Sequence, residues 1–367
     1  MPRIPVAFDL RDPDRSGIAR VARCNARAFL QQARGEFDVT LCGPREMLAH
    51  LGAPTWGDSS LVDWTAGRFS LKAQVTWNRV RRQTGDAIWY FPLWDVPWGD
   101  VPARSIVTIH DLTTIRVPGA TTRSRRAVVK AWIRHVSRRA TRIVAGTEFS
   151  RREVVEAWPD LANRVAVIPH GVEPRFFGEP EPLPMDVAAM LPDAEYVLSV
   201  GNRKPHKNLQ IAVEVLRRLP DLHWVVVGER FRGWEHVTSL IERYRVGDRV
   251  HVLGQQPDAV LHRLYRDAAC LLFPSRHEGF GLPVLEALAS GTRVVAGTAG
   301  ATVEVLGGHG AVCDCDDPDS FASAVSDARA AKRDGPFPAD ARAHAATFTW
   351  ERSARAIAEL VRDIAAD

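Results

Sequence analysis

Cysteine is scarce and scattered in this chain: Cys24, Cys42, Cys270, Cys313 and Cys315 are the five among 367 residues. The number is odd and only the last two lie close together, so no disulfide framework is written into the sequence and a reducing compartment fits it. Cys313-x-Cys315, beside Asp314 and Asp316, lacks the second ligand pair of a zinc site. No apolar run approaches the roughly 18 residues that a spanning helix needs, and no signal-peptide pattern precedes Arg3 to Phe8. These absences read as a cytoplasmic protein whose membrane contact, if any, is peripheral. Charge is equally restrained. A net charge of +4 is too small an excess to argue for nucleic acid, and no nucleic-acid motif accompanies it. An acidic metal-binding triplet is also missing, so no metal is expected.

What is present is α/β alternation, twice over. Arg3 to Phe8 reads as a strand ending at Asp9. A polar loop, Arg11 to Ser16, leads through Gly17 into an amphipathic helix reaching about Gln32, and Asp38 to Cys42 is the next strand. Further strands are predicted at Ala87 to Phe91, Ser105 to Ile109, Arg142 to Ala145 and Val165 to Ile168. Prolines 180, 182 and 184 make Gly178 to Pro184 the best linker in the chain, which sets domain boundaries of 1–184 and 185–348. Beyond it, Tyr196 to Val200, His223 to Val227, Val250 to Leu253, Cys270 to Phe273 and Val294 to Ala296 read as strands, with helical patterns between them. A terminal amphipathic helix starts at Trp350. Strand, helix, strand order predicts parallel sheets, whose ligands sit beyond the carboxyl ends of the strands.

Candidate chemistry concentrates at such ends. Pro274 to Gly291 runs from a buried strand through two glycines into a helix, with Pro283 suited to its first position and Gly291 to the residue past its end. A helix start offers free N–H groups and a positive dipole end, a natural seat for phosphate. Glu278 before the turn and Glu286 within the helix add carboxylates, which suit a sugar or ribose hydroxyl pair because one carboxylate accepts two O–H bonds. The bland alternative is an ordinary strand-to-helix connection with an exposed glutamate on each side. The turn Gly201 to Asn208 places Arg203, Lys204 and Lys207 at the mouth of the second sheet, where a cation neutralises a diphosphate; taken alone, such a loop is usually solvated.

In the first half, His110 ends the strand Ser105 to Ile109, and Asp111 either orients it or caps the next segment. Trp94 and Trp98 lie in a proline-broken loop, where exposed rings suit stacking on sugars or a lipid chain, with loop packing as the alternative. Arg123 to Arg142 is a basic amphipathic stretch that suits anionic lipid or a phosphorylated acceptor, or else a solvated helix face. Ser150 and Glu153 have capping-box spacing.

Taken together, Glu278-Gly-Phe-Gly-Leu-Pro with Glu286, the Gly201 to Lys207 loop, His110-Asp111-Leu112 and Pro169-His170-Gly171-Val172 resemble the retaining glycosyltransferases of family 4. The resemblance runs from about residue 3 to the end, and its wording is most similar to the mannosyltransferase branch. It implies an α/β protein of GT-B fold, two Rossmann-like domains facing across a cleft, with residues 349–367 returning to the first domain. It further implies that Lys207 holds the donor diphosphate, with Arg203 a less certain partner. Glu286 would take the ribose hydroxyls and Glu278 the sugar hydroxyls. Gly279, Phe280, Gly281 and Leu282 would line the donor, with backbone N–H groups of the last three facing sugar and phosphate. Gly17 would approach the phosphates, and His110 would lie beside the reacting sugar, near an acceptor region around Trp94 and Trp98.

The implied partners are a nucleotide diphosphate sugar and a saccharide, lipid-linked or small-molecule acceptor, with no cofactor. Two departures stand out. Asn202 occupies the position where many relatives carry arginine, and the first-domain loop has one glycine where many have two. The competing readings are a nucleotide-sugar epimerase or a glycan phosphorylase of the same shape, and a non-catalytic sugar-nucleotide sensor or scaffold.

Overall fold

The computed structural model describes residues 2–11, 17–32, 35–45, 48, 59–67, 69–228, 234–298 and 300–367. Ser16, with most of the loop after Arg11, lies outside these residues. The chain divides into two compact units: residues 1–171 with 349–367, and residues 172–348. The division falls at Gly171, ahead of the proline-rich stretch chosen as a linker. Gly178 to Pro184 belongs to the second unit, where Phe177 and Leu183 pack against its core and the Arg342 guanidinium donates to the Phe177 carbonyl. Gly171 itself is fixed by close packing, because a Cβ there would lie 2.3 Å from the Trp350 nitrogen.

The first unit holds a seven-stranded sheet, β1 (Ile4–Asp9), β2 (Phe37–Gly43), β3 (Ser60–Asp63), β4 (Ile88–Phe91), β5 (Ser105–Thr108), β6 (Arg142–Ala145) and β7 (Val165–Val167). Their spatial order is β3-β2-β1-β4-β5-β6-β7, all pairs parallel. The second unit holds β8 (Tyr196–Val200), β9 (His223–Val227), β10 (Val250–Val252), β11 (Cys270–Phe273), β12 (Val294–Gly297) and β13 (Ala311–Cys313), ordered β10-β9-β8-β11-β12-β13 and again parallel. Both are doubly wound sheets, with the chain reversing its direction of travel between β1 and β4 and between β8 and β11.

Central strands such as Cys270-Leu-Leu-Phe are buried at every residue, which is why they read as continuous apolar runs. In the first unit a stack of indoles fills the core: Trp64 lies 5.2 Å from Trp77, and Trp77 lies 4.9 Å from Trp89, between ring centroids. The terminal helix Trp350–Ala366 buries Trp350, Ile357, Val361 and Ile364 within that unit, largely against the helix Gly17–Gln32. Arg362 adds a paired contact to Glu36.

One local expectation is corrected. The helix Glu148–Ala157 is capped by Thr147, whose hydroxyl accepts from the Ser150 N–H at 3.1 Å. Ser150 is therefore inside the helix, and its own hydroxyl donates to the His110 carbonyl at 2.9 Å. Among the described residues, no helix is long and apolar enough to cross a membrane.

Candidate functional site

In the second unit the two motif-bearing loops leave adjacent strands, β8 and β11, on either side of the point where the winding reverses. Crevices beyond the carboxyl ends of such strands are where open α/β sheets bind ligands. The loop after β8 begins at Gly201, φ 139°, whose N–H donates to the Val227 carbonyl at 2.9 Å. Pro205–Lys207 then forms a short 3-10 turn closed by Asn208, a non-glycine residue in the left-handed region at φ 56°. The turn tolerates this because Asn208 is fully buried and clamped on both sides of its amide. Its Nδ2 donates to the Cys315 carbonyl at 2.8 Å, and its Oδ1 accepts from Arg276 Nε at 3.2 Å. The Arg276 N–H, from the loop after β11, donates to the His206 carbonyl at 2.8 Å and ties the two loops together.

The consequence is a set position for Lys207. Its ammonium lies 2.5 Å from the Glu278 carboxylate and 5.3 Å from the centre of the Phe273 ring. Both charged side chains are largely buried, so the pair sits in a medium that screens poorly. Three residues beyond Glu278 the helix Leu282–Ala289 begins at Gly281, φ 98°, with no side chain capping its first N–H groups. Pro283 occupies its second position and Gly291, φ 76°, lies past its end. Ala301 N–H donates to the Glu278 carbonyl at 3.2 Å, fixing that side of the loop.

Glu286 differs from the exposed carboxylate of the bland reading. It is buried, and its Oε2 accepts from the Tyr265 hydroxyl at 2.9 Å. Tyr265 and Asn208 were not anticipated, because nothing in the local sequence says which distant carboxylate or carbonyl each will meet. Arg203 is buried as well. It donates to the Gly228 carbonyl at 2.9 Å and lies over the Trp234 ring at 5.0 Å, which shows the direction the sequence left open. The neighbouring Asn202 Oδ1 is buried with no hydrogen-bond partner among the described residues.

In the first unit His110 follows β5, and both ring nitrogens are engaged. Nε2 faces the Pro92 carbonyl at 2.8 Å, which can only accept, so this nitrogen carries the proton. Nδ1 lies 3.2 Å from His170 Nε2. With His110 neutral, that Nδ1 accepts and His170 Nε2 donates. Asp111 does not orient this ring; its Oδ1 accepts from the Thr113 N–H at 2.7 Å and caps the short helix Thr113–Arg116.

His170 is buried, and its pKa is held well below the ordinary imidazole value, first by desolvation and then by the neighbouring His110 imidazole, beside which a second positive charge is disfavoured. A depressed folded-state pKa means that the unfolded chain takes up the proton first. Stability from this group is therefore full above about pH 6.5 and is lost as pH falls below it. Thermal midpoints measured at pH 7.5 and 5.5 are expected to fall less in His170→Gln than in the parent chain; equal falls would deny His170 this role.

Trp94 does not offer an exposed ring. It is buried against Phe69 and Trp132, with centroids 5.2 and 6.1 Å away. The ring turns inward onto Trp132 of the helix Arg123–Arg139. Trp98 remains exposed and stacks on His135 at 4.6 Å. Gly17 is the exposed first residue of its helix.

A further group went unnoticed in the sequence. Asp9 at the end of β1, Arg11 just after it and Asp95 in the loop after β4 are all buried. Arg11 donates to both Asp9 oxygens, at 2.9 and 2.7 Å, lies 3.7 Å from Asp95 and covers the Trp64 ring at 3.9 Å. Arg11→Ala is expected to destabilise the first unit by about 3–5 kcal/mol, since it strands buried carboxylates. Urea denaturation checks this, and a loss below about 1 kcal/mol would contradict it. Among the described residues no group of three or more His, Cys, Asp or Glu gathers as a metal site.

Two sequence-family models match almost end to end: Glycosyltransferase Family 4 over residues 17–176 and Glycosyl transferases group 1 over residues 188–363. Among curated proteins, O-antigen chain mannosyltransferase B of Escherichia coli is 33% identical over 135 residues, 35% of this chain and 35% of that protein. The lipopolysaccharide core biosynthesis mannosyltransferase LpcC of Rhizobium leguminosarum is 32% identical over 223 residues, 55% of this chain and 60% of that one. The chain thus spans from about a third to three-fifths of the length of these two relatives. Among solved structures, Anabaena HepE in complex with UDP and glucose superposes with a TM-score of 0.76 at 17% identity, covering 98% of this chain and 100% of that one. At that identity the likeness concerns the fold.

Proposed function

The chain belongs to glycosyltransferase family 4, and from that premise we propose that it is a retaining hexosyltransferase. It moves a hexose, mannose by its relatives, from a nucleotide diphosphate sugar to a hydroxyl of a saccharide, lipid-linked saccharide or small-molecule acceptor. The observation that carries this reading is the Lys207–Glu278 pair beside an uncapped helix start, built on the two strands where the second sheet reverses its winding.

The reaction breaks the bond between the sugar's anomeric carbon and the diphosphate oxygen, which leaves with the electron pair. The acceptor oxygen bonds to that carbon on the same face, and its proton passes to the departing phosphate oxygen. Charge grows on the diphosphate, so Lys207 and the N–H groups of Phe280, Gly281 and Leu282 stabilise what develops in the transition state. They do so without a divalent ion. Glu278 takes hydroxyls of the transferred sugar. Glu286, oriented by Tyr265, takes the ribose hydroxyls. Arg203 is engaged by Gly228 and Trp234, so the diphosphate charge falls mainly on Lys207. On the acceptor side we assign His110 as the hydrogen-bonding group for the sugar and Gly17 as the glycine for the phosphates.

Thermal stabilisation by GDP, UDP, ADP and TDP tests the donor half, because a ligand of the folded state raises its midpoint by mass action. One diphosphate is expected to stand out; none doing so overturns the reading. Glu286→Ala is expected to weaken nucleotide binding by about 10- to 100-fold, a charge-assisted bond being worth roughly 1.5–3 kcal/mol. Tyr265→Phe is expected to weaken it less. Calorimetric titration measures both, and unchanged affinity in Glu286→Ala removes its ribose role. Anomeric configuration read by NMR on the product distinguishes retention from inversion. Donor conversion without any acceptor would instead mark an epimerase.

A further inference from the structure

The Lys207–Glu278 pair joins two side chains whose backbones have no room to part. On the lysine side, the Arg276 N–H donates to the carbonyl of His206, the residue before Lys207, at 2.8 Å. On the glutamate side, Gly300, φ 81°, is packed against residue 278. A Cβ on Gly300 would lie 2.7 Å from the Glu278 nitrogen and 3.0 Å from its carbonyl oxygen. The Ala301 N–H donates to that same oxygen, so the Glu278 backbone is pinned and only its side chain is left to move.

Lys207 does not need the glutamate in order to be positioned. The turn Pro205–Lys207 and the clamped Asn208 set its backbone, and its ammonium also lies 5.3 Å from the centre of the Phe273 ring. The carboxylate works against a diphosphate in two ways. At 2.5 Å it occupies one side of the cation that a diphosphate requires, and with 12% of its side chain exposed its own negative charge is poorly screened. A site built only to hold a diphosphate would bind it better without Glu278.

What such a carboxylate can do is tell one diphosphate from another. A sugar-loaded nucleotide brings hydroxyls, which donate to a carboxylate and compensate it for sharing its ammonium. A bare nucleoside diphosphate brings none. Its terminal phosphate also carries about −1.5 to −2 charges at neutral pH, where the sugar ester holds a single one. Both differences disfavour the bare compound beside Glu278.

We propose that Glu278 is a specificity-determining residue that penalises the bare nucleoside diphosphate relative to the sugar-loaded donor, and so limits inhibition by the product. The inference rests on the donor-site reading of Lys207 and Glu278 and adds an exchange of partners to it. Glu278 turns from Lys207 to the sugar hydroxyls as the diphosphate takes the ammonium. When the sugar is transferred, those hydroxyls leave and the terminal phosphate gains charge, so Glu278 repels the product and reclaims Lys207.

Calorimetric titration of the full chain with GDP, UDP, ADP and TDP, each beside its sugar form (GDP-mannose, UDP-glucose, ADP-glucose, TDP-glucose), tests this. Glu278→Gln keeps the shape of the side chain and removes its charge. For the nucleotide that binds, this variant raises affinity for the bare diphosphate by about tenfold and lowers affinity for the sugar form. Product inhibition of turnover strengthens by the same factor. A merely structural role would weaken both ligands together. Glu278→Asp, which keeps the charge, stays closer to the parent in the ratio of the two affinities, and thermal unfolding confirms that both variants are folded. The proposal is overturned if that ratio is unchanged in Glu278→Gln, if it moves toward the sugar form, or if both variants shift it equally. Transfer by a parent chain that gives any of these results leaves the transferase reading standing, whereas a parent that binds none of the nucleotides overturns both.

Discussion

Lys207→Ala is expected to lower turnover by about 10²- to 10³-fold at saturating donor, the scale found when one preorganised group facing transition-state charge is removed. The effect is large because Lys207 is the cation brought to the mouth of the β8–β11 crevice with its position already fixed, by the 3-10 turn beneath it and by Asn208 behind it. It is also poorly screened, since the pair with Glu278 is mostly out of water. Removing the ammonium leaves that carboxylate next to an incoming diphosphate, so repulsion adds to the lost attraction. Steady-state turnover with and without the substitution measures the sum. Lys207→Arg, which keeps the charge but not the shape, is expected to retain part of the activity. Unaltered turnover in Lys207→Ala would sink the phosphate assignment, and a fallen thermal midpoint would assign the loss to folding instead.

Gly228→Ala is expected to have the second largest effect, and through backbone alone. A Cβ at this position would lie 1.8 Å from the Gly201 carbonyl oxygen and 2.7 Å from its carbon. No side chain is there to yield. The residue is also at φ 138°, a conformation that costs on the order of 1–3 kcal/mol for an L side chain. The only relief is to move the Gly201 loop, which carries Lys207 at its far end, or the Gly228 carbonyl that receives Arg203. Both stability and nucleotide affinity are therefore expected to fall together. Urea denaturation and calorimetric titration on the same preparation read the two losses, and a variant unchanged in either would show that the two loops are more loosely coupled than their contacts indicate.

How much of this was legible beforehand depends on how local the information is. The central strands were readable because burial on both faces leaves an apolar run, unbroken in β11 and over Trp224–Val227 of β9. The edge strands β3 and β13 were not, since Ser-Leu-Val-Asp and Ala-Val-Cys are too short to establish a period. Lys207, Glu278 and the helix after Gly281 could be picked out because each belongs to a contiguous motif at a strand end. Their partners could not. Tyr265 reaches Glu286 from another helix, and Asn208 meets a carbonyl at Cys315, so only the folded sheet brings them together. Arg11 shows the same limit more sharply. Asp9-x-Arg11 looks like any polar turn until Asp95 and Trp64 close over it. The linker was misplaced for a different reason, because prolines report a chain that cannot form regular structure, not a chain that leaves one core for another.

The terminal helix bears on how this protein is made. The second unit is one uninterrupted stretch, so all of its strands are available once Phe348 has been synthesised. The first unit begins earlier yet stays open, because the face of Gly17–Gln32 that packs on the terminal helix has no cover until that helix emerges from the ribosome. Vectorial synthesis thus completes the later unit before the earlier one. A chain truncated after Phe348 would hold a complete second unit and an incomplete first one, its exposed helix face the natural target for a chaperone.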